Sequence, residues 1–374
     1  MKNSKLFCLI WIVLGSCIDP FTITLSGSQE QLVVEGMITD QPGPYTVKLF
    51  RTKPINDQIS NTLEVKGATV VIAGSDGIQE KLIENGPGNY VTNPTGIRGV
   101  IGKTYILKIT TAEQGMYESE PEKLVAVGDI RRLYHEFDLA ESPKRTDHLS
   151  TKNGFNIYVD ADVLPEQNGR IRWRTTKTFE IRTFPSQRLK YVSTRGGGTI
   201  LVPDPPVCSG WTYTTMDGLV DAKGKCDCCE CWVTEYSSTP ILSNQNFERD
   251  NMQLKVPVDF ISASRRIFNQ KCYIQIEQMS VSESVYGFWK KIDKQKKTAS
   301  DLFQTPLPNT RGNIKAISPN AIPVLGIFSA TCIKVKTMTI NRSEIPYFVP
   351  TIDTIKDSCL GIYKVTTTQK PSFW

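Results

Sequence analysis

Histidine is nearly missing from this chain of 374 residues: there are two, His135 and His148. Neither sits in a nucleophile motif, and H-E-x-x-H, G-x-S-x-G and the phosphate-binding P-loop are all absent. Because imidazole is the commonest proton carrier of hydrolytic and acyl-transfer sites, no catalytic residues are expected. Carboxylate-based hydrolysis, whose two acids need not be neighbours in sequence, is the one class that escapes this argument. A strong charge of one sign is also lacking. Lys and Arg number 44 against 38 Asp and Glu, a net charge of +6, and the basic residues are scattered apart from a run near residue 290. With no aromatic and basic binding motif, a nucleic-acid partner is not expected. The glycine run Arg195-Gly196-Gly197-Gly198 lacks the strand-to-helix setting that a phosphate cradle needs. Finally, the apolar run Leu6 to Leu14 is nine residues, well short of the roughly 20 that cross a bilayer as a helix.

That short run is informative in another way. Lys2 and Lys5 precede it, and Leu14-Gly15-Ser16-Cys17 follows it, the order of a secretory signal. A cysteine directly after Leu-Gly-Ser resembles a bacterial lipobox, which implies removal of residues 1–16 and acylation of Cys17 by palmitate and related chains. Several chains at about 0.8 kcal/mol per buried methylene hold a stable anchor where one holds only a marginal grip. The expected attachment is therefore a lipid anchor in a bilayer beyond the cytosol, with residues 17–31 as a tether.

Ten cysteines are present, four of them packed into KCDCCECW at 225–232. A compartment beyond the cytosol favours pairing. With Cys8 lost and Cys17 acylated, Cys208, Cys226, Cys228, Cys229, Cys231, Cys272, Cys332 and Cys359 form an even set, and four disulfides are expected among about 105 pairings. A zinc tetrahedron would need the adjacent Cys228 and Cys229 to point the same way, which an extended chain resists. A redox thiol would need a helix start that the surrounding Gly, Asp and Lys do not suggest. No metal site is expected. The bridges would clamp the Gly- and Pro-rich stretch STRGGGTILVPDPPVCSGW, which has little apolar surface to bury.

The rest of the chain alternates with a period of two. LVVEGMITD (32–40), YTVKLFR (45–51), ATVVIAG (68–74), NYVTN (89–93), TYILKIT (104–110) and KLVAV (123–127) predict strands, and QPGP, GSDG and NGPG supply the turns between them. Residues 32–128 are thus expected to form an immunoglobulin-like or transthyretin-like β-sandwich. Residues 129–374 are expected to form a larger β-rich domain, with a cysteine-rich insertion at about 193–240 and one amphipathic helix at about 281–296. The fold class is mainly all-β. In RIRWRTTKTFEIRT, Ile171, Trp173, Thr175, Lys177, Phe179 and Ile181 oppose Arg172, Arg174, Thr176, Thr178, Glu180 and Arg182, leaving one cationic face. Two readings of that face stand: a solvated surface, or a surface that meets an anion or acidic partner. Asp160 and Asp162 share a strand face in YVDADV, but a calcium site would need further oxygen ligands that the sequence does not show. Ser280-Val-Ser-Glu283 has the order of a capping box, and Lys290, Lys291, Lys294, Lys296 and Lys297 crowd the far end of the helix, favourable to its dipole.

Taken with the lipobox, the stretches LVVEGMITDQPGPYTVKLFRT, GFNIYVDADVLPEQNGRIRWRTTKTFEI, CDCCECW, SVSESVYGFWKKI and RGNIKAISPNAIPVLGIFSA resemble a Bacteroidota outer-membrane lipoprotein family described only as a domain of unknown function. The resemblance spans nearly the whole mature chain. It implies a non-catalytic accessory of a TonB-dependent, SusC-like β-barrel transporter, helping to capture or gate a ligand. The analogy to SusD proteins is one of role, since their helical repeats are absent here. In ATCIKVK, relatives would be expected to carry a small hydroxyl residue in place of Cys332. Two other readings stand beside this one. One is a free-standing binding module for glycan, peptide or metal complex, with Trp211, Tyr213 and Trp232 lining an aromatic groove at the cysteine loop. The other is an envelope metal or redox protein built on the cysteine cluster. No cofactor is expected, and the small-molecule or polymer ligand is not specified by the sequence.

Overall fold

The computed structural model describes residues 30–52, 62–139, 152–167, 169–244, 251–298, 310–351 and 354–374. Cys17, the signal and most of the tether lie outside these residues, as does His148.

The expected alternation closes into two sandwiches. In the Thr104–Thr110 strand, Tyr105, Leu107 and Ile109 are buried while Lys108 is exposed, and the Thr69–Gly74 strand pairs antiparallel beside it. A second sheet, carried by Leu32–Thr39 and Thr46–Thr52, turns Leu32, Val34, Ile38, Val47 and Leu49 onto the same core. The segment KLVAV is strand only at its start, Glu122–Lys123, after which Leu124 and Val127 pack into that core without a ladder.

This first sandwich is not made from residues 32–128 alone. Ile314–Ala316 adds to Met116–Ser119 at one sheet edge, and Val324–Thr331 runs parallel to Leu32–Thr39 at the edge of the other. Assigning everything beyond 128 to a second domain therefore needs correction over 314–331. Close backbone approach makes the return practicable. A Cβ on Gly326, at φ +110°, would sit 1.9 Å from the Val34 carbonyl oxygen, and one on Gly312 would sit 1.3 Å from that of Gly326.

The second sandwich faces a three-stranded sheet, Ile130–Asp138, Gly154–Asp162 and Met252–Ser262, against a larger one. The larger sheet runs Ile333–Asn341, Lys271–Ser280, Ile171–Arg182, Glu230–Tyr236 and Thr366–Thr367. Phe155, Ile157, Val258, Trp173, Phe179, Ile274 and Ile276 fill the space between them. Trp173 donates its indole N–H to Gln278 at 2.8 Å, and Gln278 donates to the Gly128 carbonyl at 2.7 Å, tying the core to the point where the chain leaves the first sandwich.

The α-helix is Glu283–Thr298. Its cap is Ser282, whose hydroxyl accepts the Val285 N–H at 3.3 Å. The capping box read at Ser280 is thus displaced by two residues, because Ser280 still ends a strand and spends its hydroxyl on the Val125 carbonyl. Val281, Val285 and Tyr286 bury against Ile327, so the helix closes over the strand that returns to the first sandwich. No helix among the described residues is long and apolar enough to cross a membrane.

Candidate functional site

On the cationic face of Ile171–Arg182, Arg172 and Arg174 are half-buried, whereas Arg182 at the far end is exposed. On that strand Ile171, Trp173 and Thr175 point into the second core, so Arg172 and Arg174 point the other way. On Leu32–Thr39, Val34 and Ile38 point into the first core, so Glu35 and Met37 point outward. These two outward faces and the helix enclose a cleft of about 390 Å³, with the Gln41–Pro44 turn and Tyr45 on one wall and Trp289 and Ile327 on the other.

The two arginines have different fates inside it. Arg174 stands opposite Glu277 in register and binds it through Nε at 2.7 Å and a terminal nitrogen at 2.5 Å. Gln275 also donates to Glu277, at 3.2 Å, which occupies its other oxygen. Arg172 has no carboxylate and no hydrogen-bond acceptor among the described residues, and its Nε is enclosed. What it has is a ring: the guanidinium carbon lies 3.8 Å from the centre of Trp289. Burial, with the Arg174 charge beside it, pushes Arg172 down to about 10, which leaves it cationic at neutral pH. Farther along the strand, Arg182 is held by Glu180 at 2.8 Å.

The cysteine cluster is a knot of disulfides. Cys226 joins Cys229, Cys208 joins Cys228, and Cys231 joins Cys359. The adjacent Cys228 and Cys229 serve different partners, as an extended backbone requires. With these thiols oxidised, the cluster clamps the excursion as expected. The remaining two cysteines overturn the fourth bridge. Cys272 is buried in the second core and Cys332 in the first, each a free thiol. Burial pushes Cys272 up to about 12 and Cys332 up to about 11, and the Cys332 thiol donates to Asp40 at 3.1 Å. Neither therefore carries the thiolate that redox chemistry uses.

The bridged excursion projects two hairpins. Leu189–Ser193 pairs with Thr199–Pro203, and Trp211–Thr214 pairs with Gly218–Asp221. Trp211 and Tyr213 alternate onto one face of the second hairpin and are partly exposed. Trp232 does not join them: it is buried, edge-on to Trp374 at 6.4 Å. The proposed aromatic groove is thus corrected to two rings. Leu189, Tyr191, Ile200 and Leu201 are exposed on the first hairpin, Tyr191 at 75% of its surface.

Other candidates are spent on structure. Asp160 accepts the Lys255 N–H at 2.8 Å and faces Arg132, while Asp162 pairs with Arg131 at 2.6 Å. His135 contacts Glu344 at 3.1 Å and packs against Phe155. Among the described residues, no group of three His, Cys, Asp or Glu could hold a metal ion.

Sequence comparison places this architecture. A family profile described as "Domain of unknown function (DUF4249)" matches residues 18–337. The chain belongs to this family. No curated protein matches it. The DUF4249 match takes in every charged residue of the cleft and both strands that return to the first sandwich, and it stops short of Cys359. The cleft itself escaped the sequence because its walls come from residues near 40, 172, 280 and 327. The signal that pointed to it was the arginine row.

Proposed function

We propose that this DUF4249 chain is a non-catalytic lipoprotein of the outer membrane that captures a ligand on behalf of a TonB-dependent β-barrel transporter. The observation that carries the reading is the cleft between the two sandwiches, where Arg172 rests on Trp289 and has no hydrogen-bond acceptor among the described residues, an arrangement suited to binding an anionic ligand. The membrane and transporter parts rest on Leu14-Gly15-Ser16-Cys17 and on the family resemblance.

The first hairpin supports a protein partner. A two-stranded ribbon is marginal in water, and one that shows Leu189, Tyr191, Ile200 and Leu201 to solvent is suited to being covered. Extraction in mild detergent followed by crosslinking tests the reading: a β-barrel is expected to accompany the chain, and Tyr191→Asp with Leu201→Asp is expected to release it. Isolation as a lone species, or lack of palmitate incorporation at Cys17, would count against it.

A further inference from the structure

We infer that the cleft takes an organic monocarboxylate, its carboxylate received by the terminal nitrogens of Arg172 and its body lying between Tyr45 and Ile327. The inference deepens the capture reading and rests on it.

The first argument is one of missing partners. A half-buried guanidinium whose Nε is sealed from water and which has no hydrogen-bond acceptor among the described residues is stabilised when an anion completes it, and Arg172 is the cleft's one arginine in that condition. The second concerns aim. Trp289, whose ring centre lies 3.8 Å from the guanidinium carbon, supports the head group of Arg172, and the planar fork of a guanidinium matches the two oxygens of a carboxylate. The third is charge. Arg174 and Glu277 neutralise one another at 2.7 Å, and Glu35 and Lys48 stand opposite each other on paired strands. One positive charge therefore remains unbalanced. A monoanion matches it, whereas a dianion such as phosphate would bring a surplus negative charge toward Glu35 and Glu277. The fourth concerns the walls. Pro42, Pro44, Tyr45 and Ile327 offer apolar surface for the rest of an organic molecule, which an inorganic anion would leave unused.

The test uses the purified full-length chain in mild detergent, titrated by calorimetry with benzoate, with its neutral isostere benzamide, and with inorganic phosphate at matched ionic strength. Benzoate is expected to bind and to raise the thermal midpoint, and benzamide to bind at least about tenfold more weakly, the loss of one charge-assisted hydrogen-bond pair. Phosphate is expected to trail benzoate. Arg172→Met is expected to lose the benzoate response while the midpoint without ligand stays level or rises, since the uncompensated charge is gone; an arginine with a merely structural role would lower it. Arg172→Lys, which keeps the charge and loses the planar fork, is expected to weaken benzoate as well. Should Arg172→Met fold poorly, Trp289→Leu tests the same site by removing the platform. Equal binding of benzoate and benzamide, a preference for phosphate, or undiminished binding by Arg172→Met and Trp289→Leu would overturn the inference. Because these measurements read the chain alone, they separate from the crosslinking result. A barrel captured without benzoate binding overturns the ligand chemistry only. Benzoate bound with no barrel supports the site and counts against the accessory role.

Discussion

The two sandwich cores and the bridged excursion solve the problem of order in opposite ways. In the second core, Trp173, Phe155, Phe179 and Phe268 are fully buried, and of the strands around them only Glu230–Tyr236 carries a disulfide, at Cys231. From Leu189 to Asp221, both hairpins expose most of their side chains, and the Cys208–Cys228 disulfide ties the stretch to the cysteine loop, which Cys226–Cys229 and Cys231–Cys359 bridge in turn. A surface that is left apolar and open cannot also be folded by burying that surface. Cross-links restrict the unfolded chain instead, and so leave the folded face free.

Breaking each region separately sharpens the contrast. Trp173→Ala removes the largest fully buried side chain and leaves Gln278 without its donor, so a loss of about 3–5 kcal/mol is expected in urea unfolding, with both sandwiches affected. Replacing Cys231 and Cys359 by Ser opens a bridge separated by 128 residues. A loss of about 2–4 kcal/mol is expected from such a long loop. Opening Cys226–Cys229, separated by three residues, is expected to cost about 2 kcal/mol or less on the same loop-closure argument. If the short bridge proved as important as the long one, or if either loss unfolded the first sandwich, the division between the two regions would fail. Limited proteolysis after mild reduction should cut near Gly196 to Gly198 while leaving the fragment containing Trp173 intact.

A subtler effect belongs to the seam between the sandwiches. Glu122 is buried and receives Ser284 at 2.8 Å and Asn313 at 2.7 Å on one oxygen, while its other oxygen has no partner. Burial holds its carboxyl above the usual glutamate range, against the hydrogen bonds that pull it down. The folded state thus binds this proton more tightly than the unfolded state. Its contribution is fully present below the ordinary glutamate value and is lost as pH rises through the raised one. Glu122→Gln, which keeps an accepting oxygen, is expected to raise the urea midpoint at pH 7, with the gain shrinking toward pH 4. A midpoint lowered at pH 7 would show that the ionised form is the one the seam needs. The smallest effect is expected on the open ribbon, where Tyr191→Ser should change stability by no more than about 0.5 kcal/mol.

Local features were legible and long-range ones were not. Tyr105, Leu107 and Ile109 announced a buried face because neighbours at a spacing of two share one side of a strand. The even-odd split of Ile171–Arg182 likewise named the cationic face, and the compartment argument named the bridged cluster. What could not be read was which face meets what. Arg172 and Trp289 come together only because Val324–Thr331 returns to Leu32–Thr39 and draws the helix over it. For the same reason Cys272 and Cys332, similar in sequence terms to their bridged companions, lie in separate cores. Trp232 looked like a surface aromatic from its place beside Cys231, yet its strand runs inside the larger sheet, where Val233 and Cys231 are buried with it.

The parallel pairing of Leu32–Thr39 with Val324–Thr331 also has a temporal side. A chain that emerges from its amino end delivers the first of these strands early and the second late, so the earliest sheet waits with a bare margin while most of the second sandwich arrives. Anything able to lend a temporary strand, including another copy of the same chain, competes for that margin until Gly326 docks. The sheet begun first is therefore closed late, by a strand made after most of the second sandwich.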